Sequence, residues 1–349
     1  MVFINGIGSV SIQGKEKPEL PDWGEDNYLR CSEPDFSKFI SPVLSRRMSK
    51  IIKRSIVASK ICLEDAGVEM PDAIISGTGL GCIEETEKFL LSMIEQQEKL
   101  LQPTHFIQST HNTISSQIAM FLKCNGYNST YSHLGTSFES ALIDAFLQIK
   151  LKQINNALVG GFDEMTPDYK NMLSKIGFLK KSPFLFKEMR NDSSSGSVIG
   201  EGSNCVLISS EKTEHSYASI LDIKIFHTPE NHSKTSDQIF SFLDKNNVDI
   251  SEIDAVMLGI NGDINNDFVY ENVYIGNLSK PTQLIYKHLC GEYFTSSAFG
   301  LVMMAQLIKN NRFSNHFYRK YHATNPLKKV LFHNHYHNKT HSLILLGKC

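Results

Sequence analysis

The sequence predicts an α/β fold built in layers, and three observations carry that prediction. Short apolar runs at residues 2–7, 73–75 and 157–161 end in or within two residues of glycine and read as buried strands. Longer stretches with apolar residues at helical spacing follow each of them. The alternation then starts again near residue 253, so a second α/β series follows the first. The two series share a strand–helix grammar without an exact sequence repeat, and the division falls between residues 1–208 and 209–349.

Taken in order, residues 2–7 read as a short buried strand. Residues 44–66 read as a helix with Arg46, Arg47, Lys50 and Lys53 on its polar side, stopped by Gly67. A strand at 73–75 leads through Gly77-Thr78-Gly79-Leu80-Gly81 into a helix rich in Glu, Gln and Leu over 84–100. Helices are expected at 113–122 and 137–151, the second with Phe138, Leu142, Ala145, Phe146 and Ile149 on one apolar face. Ala157-Leu158-Val159-Gly160-Gly161 reads as a central strand with a close backbone contact at its end. Between 177 and 202 the pattern weakens into Lys, Ser, Asn and Gly, and 192–197 reads as a surface loop. Strands at 205–208, 218–225 and 253–260, a helix at 235–245, an apolar helix at 296–309 and strands at 329–332 and 342–346 complete the series.

With 349 residues, 41% of them hydrophobic, the chain buries a large core. A formal net charge of -2 gives it no general attraction to nucleic acid or anionic lipid. The N-terminus lacks the basic region and long apolar run of a secretion signal, and no apolar stretch approaches the about 18 residues of a spanning helix. Seven dispersed cysteines without a CxxC pair suit a reduced cytoplasmic protein in which they act as small hydrophobes.

The turn at 77–81 lacks the Lys-Ser/Thr of a P-loop and the spacing of GxGxxG, so it reads as a tight structural turn. The segment His333-Asn334-His335-Tyr336-His337-Asn338-Lys339-Thr340-His341 places imidazoles on one face of an extended strand, but no acid or cysteine clearly completes a metal set, and loop histidines are the simpler reading. Ser137 lacks the GxSxG elbow, and Thr136 or Ser137 is expected to cap the following helix. Cys290 is a candidate thiol whose neighbours say little about reactivity. No cofactor or resident metal is expected.

Together these segments, from Val2 to Leu346, resemble the β-ketoacyl synthase family, whose members have the thiolase fold with two related halves in an α-β-α-β-α arrangement. The resemblance is carried by Arg46-Arg47-Met48, Leu63-Glu64-Asp65-Ala66-Gly67, the glycine turn at 77–81, Gly160-Gly161 with Asp163-Glu164, and Gly200-Glu201-Gly202, in family order. Active members hold the acyl chain on a cysteine at a strand-to-helix turn and use two histidines to decarboxylate the extender. The resemblance puts Gly135 at the cysteine position, where only its backbone N–H remains to serve a polar pocket. Asn261 stands at the first histidine and Glu292 at the second, with Lys287 retained. An ionised Glu292 opposes enolate charge, whereas a carboxyl of raised pKa would act as an acid. Tyr336 matches the aromatic of the family's gate, with His335 and His337 in place of flexible glycines. Loops around Arg190 to Ser197 are reduced.

Loss of three reactive groups within a retained framework implies a chain-length-factor-like partner subunit rather than a condensing enzyme. The resemblance then implies a dimer with an active β-ketoacyl synthase, residues 110–131 forming part of the shared face, and an acyl carrier protein whose phosphopantetheine arm enters the active partner. The competing readings are an atypical acyltransferase or malonyl decarboxylase, and a noncatalytic acyl-binding protein.

Overall fold

The computed structural model describes residues 1–12, 27–99, 101–181, 194–227, 232–311, 317–320 and 326–349. Residues 192 and 193 of the expected loop, and Arg190 beside it, lie outside the described residues.

The first half contains strands β1 (Val2–Val10), β2 (Tyr28–Leu29), β3 (Ala73–Gly77), β4 (Tyr127–Tyr131), β5 (Asn156–Asp163), β6 (Ile199–Gly200) and β7 (Gly202–Ser209). Its helices are α1 (Pro42–Ser45), α2 (Lys50–Ala66), α3 (Ile83–Glu95), α4 (Pro103–Ser109), α5 (Thr113–Leu122), α6 (Ser137–Lys150) and α7 (Pro167–Lys175). The second half contains β8 (Ala218–His227), β9 (Ala255–Leu258), β10 (Thr282–Ile285), β11 (Tyr318–Lys320), β12 (Lys329–Tyr336) and β13 (Thr340–Gly347). Its helices are α8 (His232–Lys245), α9 (Ile264–Val273), α10 (Lys287–Cys290) and α11 (Ser296–Asn310).

Eleven strands form one ladder in the order β11-β10-β9-β12-β13-β8-β1-β7-β5-β3-β4. Counted outward from the β1–β8 junction, the main strands of both halves run first, fifth, fourth, second, third in their own chain order. The directions match as well. β7 is antiparallel to β1 and β5 while β3 is parallel to β5 and β4; β13 is antiparallel to β8 and β12 while β9 is parallel to β12 and β10. The expected relation between the halves is therefore topological, although their sequences do not repeat.

Strand alternation builds the layers. Along β5, Ala157 and Val159 face a central core that also holds α6 and α11, while Leu158 faces a separate core under α2 and α5. Along β12, Val330 and Phe332 join the same central core, and Leu331 faces a third core with α8 and α9. Two buried helices thus lie between the half-sheets and amphipathic helices cover the outer faces, the expected α-β-α-β-α order.

Element boundaries differ from expectation in instructive places. The helix expected over 44–66 is broken into α1 and α2, and Ser49 precedes α2 in an extended conformation. The helix expected to reach residue 100 ends at Glu95. Gly67 closes α2 in the left-handed conformation, as its position predicts. The histidine segment is not a loop: His333 and His335 belong to β12 and His341 to β13.

Candidate functional site

The turn between β4 and α6 is a single 3₁₀ turn, Leu134–Thr136. Leu134 has φ +51°, an uncommon conformation for a branched side chain, whereas Gly135 does not lie in the left-handed region. The requirement for glycine at 135 is therefore steric. A Cβ there would lie 2.3 Å from Tyr336 Cδ2 and 2.8 Å from Tyr336 Cβ. The Tyr336 side chain occupies the volume into which a residue-135 side chain would grow.

Neighbouring hydroxyls are committed elsewhere. Ser137 Oγ donates to the Leu134 carbonyl at 2.7 Å and accepts from His133 N–H at 2.8 Å, and Thr136 Oγ1 donates to the His133 carbonyl. Neither makes the side-chain cap expected at the start of α6. They brace the preceding turn instead, because its backbone groups come within reach first. Cys290 is fully buried with its thiol donating to the Gly291 carbonyl, and burial pushes its pKa well up. That is the environment of an inert thiol.

Asn261, Glu292 and Lys287 come together. Glu292 Oε2 accepts from Lys287 Nζ and from Asn261 Nδ2, each at 2.7 Å. Asn261 is held from behind: its Oδ1 accepts from Asp263 N–H, and its own N–H donates to Asp267. Burial raises the Asp267 pKa to about 7 against the lowering effect of the Asn261 and Gly262 N–H groups. Gly200-Glu201-Gly202 explains how Glu292 is placed. A Cβ on Gly200 would lie 1.9 Å from the Cys290 carbonyl, so only glycine lets the two backbones meet, and Gly200 N–H donates to the Glu292 carbonyl. Between the glycines, Glu201 pairs with buried Arg54 at 2.8 Å.

The segment that the resemblance places at the gate is a tight hairpin. His337 and Asn338 have φ +50° and +55°, and Lys339 N–H donates to the Tyr336 carbonyl, the pattern of a type I′ turn. Asn338 Nδ2 also donates to the Asn265 carbonyl at 2.6 Å, fastening the turn to α9. Tyr336 contacts the Phe294 ring, and His337 packs on Phe178. His333, His335 and His341 pack as tilted rings between β12, β13 and α9; His333 Nε2 lies 3.1 Å from His341 Nδ1, and His333 Nδ1 meets the Tyr274 hydroxyl. Burial holds the His333 and His335 pKa values well below the ordinary imidazole value. No group of three metal-ligating side chains converges among the described residues.

Gly135, Asn261, Lys287, Glu292, His335, Tyr336 and His337 all border one cavity of about 500 Å³. Two further features of its wall were not assigned to the site by sequence reasoning, although Asp163 and Glu164 were noted for the resemblance. Asp163 is fully committed, accepting from Gly79 N–H, Thr78 Oγ1, and both Thr295 N–H and Oγ1, which locks the glycine turn to the start of α11. Beside it, burial pushes the Glu164 pKa up to about 8. The other feature is α7, which carries Tyr169, Met172 and Leu173 onto the cavity, with Ile176 following its last turn. Those four residues stand at helical spacing, a signal present in the sequence but lying next to the stretch where the pattern weakens.

Residues 23–214, more than half of the chain, match the family model for the β-ketoacyl synthase N-terminal domain. The chain belongs to the β-ketoacyl synthase family. No curated protein matches this family member in sequence. Solved ketosynthase-family structures share its fold throughout. One is the ishigamide ketosynthase/chain length factor, 16% identical with a TM-score of 0.81, covering 100% of this chain and 99% of that one. A β-ketoacyl synthase from Burkholderia phymatum is 14% identical with a TM-score of 0.81 at 100% and 99% coverage. A ketosynthase (ApeO) in complex with its chain length factor (ApeC) from Xenorhabdus doucetiae is 17% identical with a TM-score of 0.78, covering 100% of this chain and 98% of that one.

Proposed function

We propose that this β-ketoacyl synthase family member is a noncatalytic, chain-length-factor-like subunit that pairs with an active synthase in fatty-acid, polyketide or aryl-polyene-type biosynthesis. The observation that carries the reading is the Tyr336 side chain filling the space over Gly135. A condensing site needs a nucleophile there, free to hold an acyl chain, and a thioester cannot form on glycine. Asn261 and Glu292 stand in for the two histidines and are hydrogen-bonded to each other, so the floor presents a carboxylate where a condensing site stabilises developing negative charge. Ser137 and Cys290, the replacement nucleophiles that an atypical transferase would use, are tied to backbone carbonyls.

The partner surface in this reading is the outer edge of the sheet. Among the described residues β4 is the last strand, flanked by α5 with Met120 71% exposed and by α6 with Leu147 50% exposed. An edge of unpaired backbone groups bordered by apolar side chains is a surface for another sheet of the same kind. The carrier protein delivers its phosphopantetheine-bound chain to the active partner, and this subunit shapes the far volume. Six buried cysteines fit a reducing, cytoplasmic setting, and no described helix is long and apolar enough to cross a membrane.

Co-expression with a synthase that retains its cysteine and both histidines tests the reading, with native mass spectrometry as the readout. A one-to-one complex that condenses malonyl units only when both subunits are present is the expected result. A chain that stays monomeric beside every such synthase, or that gains acyl mass alone from acyl- or malonyl-carrier protein, overturns it.

A further inference from the structure

The cavity that no longer holds a nucleophile is not filled in. Helix α7 stands over it with no buried residue of its own, yet it turns Tyr169, Met172 and Leu173 toward the hollow. An apolar stripe of this kind ordinarily packs on protein, and here it faces about 500 Å³ of open volume. That size falls within the roughly 300–1,000 Å³ of small-molecule sites, which combine apolar walls with a few placed polar groups.

The polar end of the cavity decides which molecule it suits. Lys287 Nζ is enclosed, its side chain 3% exposed, and it points its charge at Glu292. Glu292 is 28% exposed, and both of its hydrogen bonds go to Oε2. Oε1 takes no hydrogen bond among the described residues, so the floor offers a carboxylate oxygen without a donor. Asn261 is held in place beside it, with one amide hydrogen given to Glu292 and its oxygen accepting from Asp263 N–H. With its side chain 28% exposed against 3% for Lys287, Glu292 is the member of the ion pair that a ligand group at this floor meets, and a ligand carboxylate there would face a like charge.

We propose that the cavity binds an apolar chain whose end donates a hydrogen bond from nitrogen, an amide or an ammonium group, and that Glu292 selects such a chain over one ending in carboxylate. The proposal rests on the reading of this pocket as noncatalytic, and it does not depend on the partner subunit. No bond is made or broken: the ligand's N–H donates to Glu292 Oε1 while its chain lies along α7.

Calorimetric titration of the full chain with octanamide, octylamine and octanoate at neutral pH tests it, and the nitrogen arms separate an amide from an ammonium source. One equivalent of octanamide or octylamine should bind at least about tenfold more tightly than octanoate. Glu292→Gln should reduce that preference to within about threefold, and Met172→Trp should block binding while leaving the melting temperature and co-purification with a synthase unchanged. Octanoate binding as tightly as the nitrogen ligands, the absence of saturable binding by all three, or a preference untouched by Glu292→Gln each overturns it. Failure to pair with a synthase, with these binding results intact, would instead remove only the partner reading.

Discussion

At the scale of single residues, the glycine at 135 is inseparable from Tyr336. Gly135→Cys forces a Cβ into the tyrosine ring, and overpacking of this kind costs about 1–3 kcal/mol. Denaturant melts should show that loss, and intact-mass labelling with iodoacetamide should find the new thiol sluggish. Adding Tyr336→Ala should restore both stability and labelling; a fully reactive thiol in the single variant would contradict the steric account. Glu139 offers a second residue-level test. It is fully buried in the first turn of α6, where burial raises its pKa although Ser342 Oγ donates to it at 2.9 Å. A folded-state pKa above the unfolded value of about 4.3 means that folding takes up a proton. Stability from this group is complete below that pH and declines as pH rises toward the folded pKa. Glu139→Gln keeps the shape without the charge, so its melting temperature should exceed wild type at neutral pH and converge with it in acid. Parallel pH profiles for the two proteins would rule the group out. The sequence marked residues 135, 261 and 292 through a resemblance, but it carried no sign that Tyr336 fills the space over Gly135, because that contact joins a turn in one half to a hairpin in the other.

At the scale of elements, close backbone approach matters more than side-chain chemistry. Gly200→Ala drives a methyl into the Cys290 carbonyl, a backbone atom that cannot swing aside, and should cost about 3 kcal/mol by chemical denaturation. A loss below about 0.5 kcal/mol would mean that the Glu292 loop yields freely. The sheet edge behaves oppositely. Met120 and Tyr127 are 71% and 45% exposed, so Met120→Glu with Tyr127→Lys should leave the isolated chain's stability within about 0.5 kcal/mol while abolishing co-purification with the synthase. Retained pairing would move the interface elsewhere. Strongly patterned elements such as α6, α11, β5 and β7 were readable because a uniform apolar face dictates them. β10 and α9 were not, since a four-residue strand and a helix of mixed polarity leave little periodicity, and only packing between neighbours defines them.

At the scale of the molecule, the two halves repeat one strand order and each keeps an outer core of its own, but the central core belongs to both. β1 and β8 pair over only Val2–Ile220, Phe3–Ser219 and Ile4–Ala218, while α6 and α11 share a single apolar layer with strands from both halves. Neither half exposes a finished surface when cut from the other, so residues 1–209 and 210–349 produced separately should be insoluble or molten by near-ultraviolet circular dichroism. A cooperatively folded fragment would show the shared layer to be dispensable. The layered architecture was legible because alternation survives in each strand; the cavity was not, because its walls are gathered from α7, the β12–β13 hairpin and the loops ahead of α9 and α11. The interlock of Tyr336 with Gly135 also has a bearing on descent. On the proposed reading, a lineage carrying it does not regain a thiol at 135 through one codon, since the first step strains the fold and the second, taken alone, opens a hole without a nucleophile. Gly135 and Tyr336 must change together, and Asn261 and Glu292 besides, before the chemistry of a condensing site returns on that reading, so the interlock works as a ratchet across short mutational paths.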